Sequence, residues 1–187
     1  MCESLTSVNI PNTVTTIGNE AFSYCSSLAS ISVASDNPNY IGIDGVLFNK
    51  DKTTIVAYPA VKDGSEYTIP NSVTTIGEGA FAECESLASI NIPNSVTTIG
   101  EGAFSGCESL ASVTIGESVT TIGDGAFACC NAITSVICLA KECPVYESNE
   151  YDMFSVYKTA TLYVPKQSID AYKTTDPWSE FVNVVAL

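Results

Sequence analysis

The chain of 187 residues contains no histidine and no arginine, and its basic side chains are seven lysines. Without histidine, it has no Ser-His-Asp triad, no Cys-His pair and no histidine-ligated metal site. Its 21 acidic residues give a net charge of −14, so its surface repels nucleic acid and anionic lipid. We therefore expect no nucleic-acid partner, and any catalysis would have to come from carboxylates, lysine, tyrosine or cysteine alone.

Long apolar segments are also missing. No apolar run approaches the ~18 residues that a helix needs to span a bilayer. The first residues lack both the basic region and the apolar region of a signal peptide. We expect no membrane insertion by this chain.

What the chain does have is a repeat. A block of 23 residues recurs almost letter for letter, beginning at Ile69, Ile92 and Ile115. Repetition at this period is typical of a solenoid, in which each unit buries its apolar face against the next. Alignment on phenylalanine matches Phe22, Phe81, Phe104 and Phe127 and leaves a 13-residue insertion between the first two.

Each repeat has three parts. Residues 87–92 alternate as in a strand, with Ser89 and Asn91 turned outward. Residues 96–99 are a second, shorter extended segment. Residues 101–107 are predicted to form a tight helical or 3₁₀ turn. Stacked copies lie ~4.8 Å apart, so each inward position becomes a ladder of like side chains.

The repeated pattern Ile-Pro-x-Ser-Val-x-x-Ile-Gly-x-x-Ala-Phe-x-x-Cys-x-x-Leu-x-x-Ile closely resembles the BspA-like class of leucine-rich repeats. Such repeats occur mainly in surface and secreted proteins of bacteria of the gut and mouth. The resemblance implies a right-handed leucine-rich-repeat solenoid and an interaction role at the cell surface. It is silent on the ligand, because the motif residues are structural.

We predict a solenoid over residues 1–136, with an insertion over about 34–68, and a small α+β capping segment over 137–187. The insertion predicts a β-hairpin, with strands 45–49 and 53–58 around a polar turn. The tail predicts strand 160–164, a short helix over 168–173, a turn at 176–177 and a final strand at 182–185. The repeat pattern starts in mid-unit at Cys2, so we expect an N-terminal truncation that removed a signal peptide, and an extracellular or cell-surface location.

The eight cysteines are predicted to be mostly free thiols. Five hold one position of the repeat, where a free thiol packs as a small hydrophobic group: Cys2, Cys25, Cys84, Cys107 and Cys130. A bridge between Cys138 and Cys143 stays open from the sequence.

Acidic residues also recur in rows, Glu78, Glu101 and Asp124 in one and Glu3, Glu85 and Glu108 in another. Such rows either extend into water or hold cations such as calcium. We favour a solvated acidic face, and we expect no metal, no cofactor and no enzymatic activity.

A partner could bind at the outward face of the predicted concave sheet or where the repeat breaks. The outward side chains are small and neutral and lack the Trp, Tyr and Arg of binding hot spots. The candidate residues are Ser89, Asn91, Ser112 and Thr114 on the sheet, Tyr40, Lys50, Tyr58 and Tyr67 in the insertion, and Tyr151 and Tyr157 in the tail. The alternative for the aromatic residues is that they pack inward as local cores.

Two functions remain open. One is an adhesion-type interaction module that binds a protein or glycan at the cell surface. The other is a rigid spacer that presents other domains of a larger surface protein. The oligomeric state cannot be inferred from the sequence.

Overall fold

A computed structural model describes residues 2–147 and 151–187. Its regular secondary structure is almost entirely short strands, joined by turns. They are β1 (Ser7–Ile10), β2 (Ser30–Val33), β3 (Tyr40–Ile43), β4 (Val46–Asn49), β5 (Thr54–Ala57), β6 (Glu66–Thr68), β7 (Thr75–Ile76), β8 (Ser89–Ile92), β9 (Thr98–Ile99), β10 (Ser112–Ile115), β11 (Thr121–Gly123), β12 (Ser135–Cys138), β13 (Val145–Glu147), β14 (Thr161–Val164) and β15 (Asn183–Ala186). One α-helix, α1 (Ile169–Thr174), lies between β14 and β15.

The strands stack into a β-solenoid of about eight turns, as predicted, and form three sheets. A six-stranded sheet has the order β15-β14-β12-β10-β8-β6, and its strands are parallel. A seven-stranded sheet has the order β13-β11-β9-β7-β5-β4-β3. It contains β7, β9 and β11, called here the arc strands, which are the second, shorter extended segments of the repeats. Strands β1 and β2 pair only with each other.

The repeat sets the register of the six-stranded sheet. Ile90, Val113 and Val136 occupy equivalent inward positions, pair across neighbouring strands and are 3% exposed or less. The alternate side chains point outward, which matches the predicted alternation. Each added strand therefore extends the same buried ladder by one side chain.

The segment after each arc strand is a row of turns. In residues 101–107 the N–H groups of Ala103, Ser105 and Cys107 donate to carbonyls three residues back. The intervening N–H groups bond to the next repeat: that of Gly102 donates to the Asp124 carbonyl at 2.9 Å, and that of Phe104 donates to the Ala126 carbonyl at 2.8 Å. This alternation replaces a continuous helix with short turns that bond to the neighbouring repeat.

Two positions in each turn segment have left-handed backbone, the conformation that favours glycine. The first is Gly79, Gly102 and Gly125 in the regular repeats and Glu20 in the first repeat. The second is Tyr24, Glu83, Gly106 and Cys129. Three residues with side chains therefore carry backbone strain at this second position.

An aromatic stack runs through the core beneath these turns. The ring centroids of Phe81 and Phe104 lie 4.9 Å apart, and those of Phe104 and Phe127 lie 5.1 Å apart. Phe154 continues the stack at one end at 4.6 Å from Phe127, and Tyr58 continues it at the other at 4.8 Å from Phe81. Phe22, which the repeat alignment equates with Phe81, is only partly buried and packs in a separate cluster.

The insertion passes through the core. The predicted hairpin forms as antiparallel β4 and β5, and β3 adds a further antiparallel strand. Val46 and Phe48 of β4 pack in the larger hydrophobic cluster, whereas Leu47 packs in a smaller cluster with β1 and β2 residues. The exposed fraction of all three side chains is 0%. The insertion therefore divides the core into two parts because β4 is buried on both faces.

The C-terminal segment forms the predicted strand, short helix and final strand, close to the predicted bounds. Both strands, β14 and β15, extend the six-stranded sheet. Tyr172 of α1 and Trp178 are fully buried, and the Trp178 indole Nε1 donates to the Pro144 carbonyl at 3.0 Å. The bond between Asp176 and Pro177 is cis. Across the described residues, no helix is long and apolar enough to cross a membrane.

All eight cysteines are free thiols, including Cys138 and Cys143. The Cys107 thiol donates to the Phe81 carbonyl at 3.2 Å, and the Cys130 thiol donates to the Phe104 carbonyl at 3.0 Å. The hydrogen bond with Cys107, together with burial, raises the pKa of Cys130. The Cys138 thiol lies 3.2 Å from the Tyr172 hydroxyl, and burial raises its pKa to about 11. The buried thiols of Cys107, Cys130 and Cys138 are structural groups, and their raised pKa values favour the protonated form.

Candidate functional site

The outward face of the six-stranded sheet consists of two rows of side chains. One row is Glu66, Ser89, Ser112, Ser135, Thr161 and Asn183. The other, called here the outer row, is Thr68, Asn91, Thr114, Ile137, Tyr163 and Val185. The predicted sheet candidates Ser89, Asn91, Ser112 and Thr114 lie side by side in the middle of these rows.

Charge is nearly absent from this face. In the two rows, Glu66 is the one ionisable acid, although the chain as a whole has a net charge of −14. The acids of the repeats lie instead on the turn segments and the corners between elements. A partner that approaches the sheet therefore meets mostly hydroxyl, amide and apolar groups.

The outer row changes in character along the solenoid. It is polar at Thr68, Asn91 and Thr114 and becomes apolar and aromatic at Ile137, Tyr163 and Val185. Val185 is 38% exposed, and Ile137 and Tyr163 are partly exposed. The sheet candidates predicted from the sequence extend only to Thr114 and do not include these residues. The same alternation continued along β12 leads to Ile137, whereas Tyr163 and Val185 lie in tail strands whose place in the sheet is set by the fold.

The insertion candidates serve mainly as structural groups. The ring of Tyr58 is 7% exposed and stacks on Phe81, and burial, followed by the neighbouring Cys84, raises its pKa to about 12. Tyr67 is partly buried against Tyr58 at 4.9 Å, and burial is the main reason its pKa rises to about 12. The expectation that the Tyr58 ring could contact a partner is wrong, because the ring lies inside the aromatic stack.

Tyr40 and Lys50 anchor the insertion to the first repeat. The Tyr40 hydroxyl accepts the Ile17 N–H at 2.8 Å, and the Lys50 ammonium donates to the Asn37 carbonyl at 2.5 Å. Asn37 is itself fully buried, and its amide donates to the Pro11 carbonyl at 2.8 Å. These contacts occupy the polar ends of both candidate side chains.

The two tail candidates differ. Tyr157 is 8% exposed, its ring packs edge-on against Phe181 at 5.0 Å, and burial raises its pKa. It is not available to a partner, which corrects the expectation. Tyr151 is 62% exposed. Its backbone N–H donates to the Asp124 carboxylate at 3.0 Å, and its carbonyl accepts from the Tyr146 hydroxyl.

The acidic row at 78, 101 and 124 is not uniform. Asp124 is 3% exposed and accepts the Tyr146 hydroxyl at 2.9 Å, so it is a buried anchor. Glu101 stays exposed, and its pKa is raised by partial desolvation and by the nearby carboxylates of Glu78 and Asp124. Within the described residues, no group of three or more acidic or cysteine side chains is arranged to hold a metal ion.

A groove of about 550 Å³ lies between the insertion and the corner at residues 83–86. Its lining mixes Lys62 with the acids Asp63, Glu83 and Glu85. Burial and the neighbouring Glu85 raise the pKa of Glu83.

Comparison with solved structures finds bacterial leucine-rich repeat proteins. A leucine-rich repeat protein from Eubacterium ventriosum is 31% identical with a TM-score of 0.78, and the match covers 98% of this chain and 49% of that one. A leucine rich cell surface protein from Faecalibacterium prausnitzii is 28% identical with a TM-score of 0.61, covering 98% and 48%. The pneumococcal vaccine antigen PcpA shares the fold, with a TM-score of 0.70 at 19% identity, covering 98% and 56%.

The chain thus spans about half the length of these solved proteins. The curated proteins include no match to it. The family and its structural neighbours point to a non-catalytic repeat module for protein interaction. The model of the BspA type leucine rich repeat region matches residues 1–62 and 57–173 in six copies, and the chain belongs to this family.

Proposed function

We propose that this chain is an extracellular interaction module of adhesion type, and that it binds a protein or glycan through the outward face of the six-stranded sheet. One observation carries the proposal. In a chain with a net charge of −14, this face holds a single acid, and its outer row ends in Ile137, Tyr163 and Val185. The centre of a protein interface is depleted in charge and enriched in aromatic residues in the same way.

The physical argument concerns desolvation. Ser89, Asn91, Ser112 and Thr114 are short polar groups that can exchange water for hydrogen bonds to a partner. The apolar end can bury more surface, at roughly 25 cal/mol per Å² of apolar area. Tyr163 combines a large ring with a hydroxyl, which is the chemistry enriched at hot spots. We expect it to be the residue whose loss weakens binding most.

The location at the cell surface rests on the family and on the neighbour that is called a leucine rich cell surface protein. The partners of the whole protein are likewise proposals, because the chain spans about half the length of the solved proteins that it resembles. Tyr151 stays a candidate contact, because its ring is exposed, although it lies away from the outer row.

The test is a binding screen with two matched variants. Purified extracellular matrix proteins and a glycan array are exposed to the wild type, to Tyr163→Lys and to Tyr24→Lys, which alters a tyrosine that is 52% exposed on a turn segment. Tyr163→Lys is expected to weaken binding by about 30-fold or more, as for a hot-spot residue, whereas Tyr24→Lys leaves it unchanged. Equal losses in both variants would contradict the proposed face, provided that circular dichroism shows both folded.

If no component of the panel binds at any concentration, the spacer function is favoured. Its support is the continuous ladder of backbone hydrogen bonds from β6 to β15, which makes a stiff body. A spacer would tolerate any outward substitution that leaves the protein folded. Its length, set by the number of repeats, would be the property that matters.

A further inference from the structure

Within residues 2–147 and 151–187, no strand pairs with the outer edge of β15. In the described structure β15 is the end strand of the six-stranded sheet, pairing with β14 on one side. The Leu187 N–H donates to the Val164 carbonyl at 2.9 Å, toward β14. Because backbone groups alternate in direction along a strand, those of Asn183 and Val185 also face β14. The N–H and C=O groups of Val184 and Ala186 therefore point to the open edge.

Exposed apolar side chains cluster beside this edge. Val182 is 76% exposed, Val185 is 38% exposed and Leu187 is 57% exposed. Ala186, whose backbone faces the edge, is exposed as well. An open strand flanked by apolar groups is a template for pairing with another strand.

The charge near this edge is close to balanced. Residues 151–187 contain three lysines and four acids, a net charge of −1, whereas the whole chain carries −14. The acidic turn segments of the repeats lie elsewhere along the solenoid. Two copies of the chain can therefore meet end to end at β15 with little electrostatic repulsion, which does not hold for contacts through the repeats.

We infer that β15 pairs with β15 of a second copy, in antiparallel orientation about a two-fold axis at Val185. In this register Val184 exchanges backbone hydrogen bonds with Ala186 of the second copy, and the reciprocal pair does the same. Val185 meets its own equivalent in a non-hydrogen-bonded pair, where side chains approach most closely. Asn183 then lies opposite Leu187 of the second copy.

The register is self-complementary on the outward face. The apolar end of the outer row, Ile137, Tyr163 and Val185, is followed across the dimer axis by the same three residues of the second copy in reverse order. The resulting sheet has no interruption at the dimer axis, and the open edge of each copy is satisfied. A two-fold arrangement closes after two copies, so the assembly is a dimer and not a fibre. This inference does not depend on the proposed ligand-binding function.

The experiment is sedimentation velocity on the whole chain, from low micromolar to near-millimolar concentration. The wild type is expected to shift toward twice its mass of 19.7 kDa, with a Kd on the order of 10⁻⁴ M because the interface is small. Val185→Lys places like charges directly opposite each other and is expected to weaken the dimer at least tenfold. Val61→Lys makes the same change at a remote valine that is 47% exposed and is expected to have no effect.

A second variant tests the backbone pairing itself. Ala186→Pro removes an N–H that faces the open edge, which a monomer tolerates because proline is accepted on edge strands. The expected result is a monomer with an unchanged melting temperature. The inference is overturned if the wild type stays monomeric at the highest concentration, if it grows beyond a dimer, or if Val185→Lys and Val61→Lys dimerise equally well.

Discussion

Replacing Phe104 with alanine is expected to destabilise the protein by about 4 kcal/mol. The Phe104 ring is fully buried and lies 4.9 Å from Phe81 and 5.1 Å from Phe127. Truncation removes its burial and both ring contacts and leaves a cavity in the middle of the stack. Backbone hydrogen bonds from Phe81 to Ala103 and from Phe104 to Ala126 hold the turns apart, so the cavity cannot readily collapse.

Phe22 supplies the matched control, because it holds the same position in the repeat. It is only partly buried and lies outside the aromatic stack. Phe22→Ala should therefore cost about 1 kcal/mol, mainly from lost partial burial. A sequence alignment alone would assign both substitutions the same cost.

The assay is equilibrium unfolding in urea, followed by far-ultraviolet circular dichroism and by the fluorescence of Trp178, the single tryptophan. A loss of about 4 kcal/mol is a large part of a typical stability of 5–15 kcal/mol, so the Phe104→Ala midpoint should fall sharply. A cost for Phe22→Ala that equals or exceeds that of Phe104→Ala would refute the reasoning. It would mean that Phe22 belongs to the same stack.

Other predictions follow from the turn segments and the thiols. Gly123→Ala should destabilise the protein by several kcal/mol, on the order of an overpacked core site, because a Cβ there would lie 2.5 Å from the Glu101 nitrogen. Gly18→Ala is the control: a Cβ there would meet no atom within 4 Å, so the substitution should leave the melting temperature unchanged. Cys129→Gly should stabilise the protein by about 1 kcal/mol by relieving left-handed backbone. Gly106→Ala at the equivalent position should destabilise it, because its Cβ would meet the Glu83 carboxylate. A lower melting temperature for Cys129→Gly, or a higher one for Gly106→Ala, in calorimetry would contradict this reasoning. Burial, then Glu85 and Glu108, raises the folded-state pKa of Glu83, so its contribution to stability is complete below the ordinary pKa of about 4.3 and is lost as pH rises through the folded-state value. Glu83→Gln should therefore melt higher than the wild type at pH 7 but not at pH 3, and a pH-independent difference would exclude a titration effect. In a thiol-labelling time course, exposed Cys2 and Cys129 should react at once, while buried Cys25, Cys84, Cys107, Cys130 and Cys138 should react only on unfolding; early labelling of the buried thiols would show that the ladder opens readily.

The regular part of the fold could be predicted from the sequence because equivalent residues of successive repeats must contact one another in a solenoid. Ile90, Val113 and Val136 recur at a fixed period, so each must pack on its own equivalent one repeat away. The alternation within residues 87–92 then decides which side chains face outward. The tail strands were predictable for a local reason as well, since residues 161–164 alternate in the same manner.

The irregular part could not be predicted because it depends on which segments the insertion brings together. A period-based alignment places Phe22 in the aromatic stack, but the insertion puts Tyr58 next to Phe81 instead. Phe154 lies 27 residues after Phe127, outside the period, yet its ring completes the stack. The burial of β4 between two clusters is a long-range outcome that a local hairpin pattern does not contain.

For the candidate site, the sequence places the outward positions of the repeats correctly, and of the aromatic candidates Tyr151 is exposed whereas Tyr58 and Tyr157 are buried. Tyr58 and Tyr157 look like exposed candidates because they lie where the repeat breaks. Breaks in the repeat, however, are where the core needs large side chains to fill irregular space. The period of the repeat does not place Tyr163 on this face, because Tyr163 lies in a tail strand whose pairing with the repeat strands depends on the tertiary fold.

The division of the core by β4 has a mechanical consequence. On the outward side the six-stranded sheet ends at β6, and the first two repeats contribute only the separate pair β1 and β2. When the two ends of the chain are pulled apart, the load between the first two repeats and the rest passes through the insertion and not through a continuous ladder of strands. The first two repeats should therefore detach under lower force than any later pair, leaving β6 to β15 folded as an intact remainder.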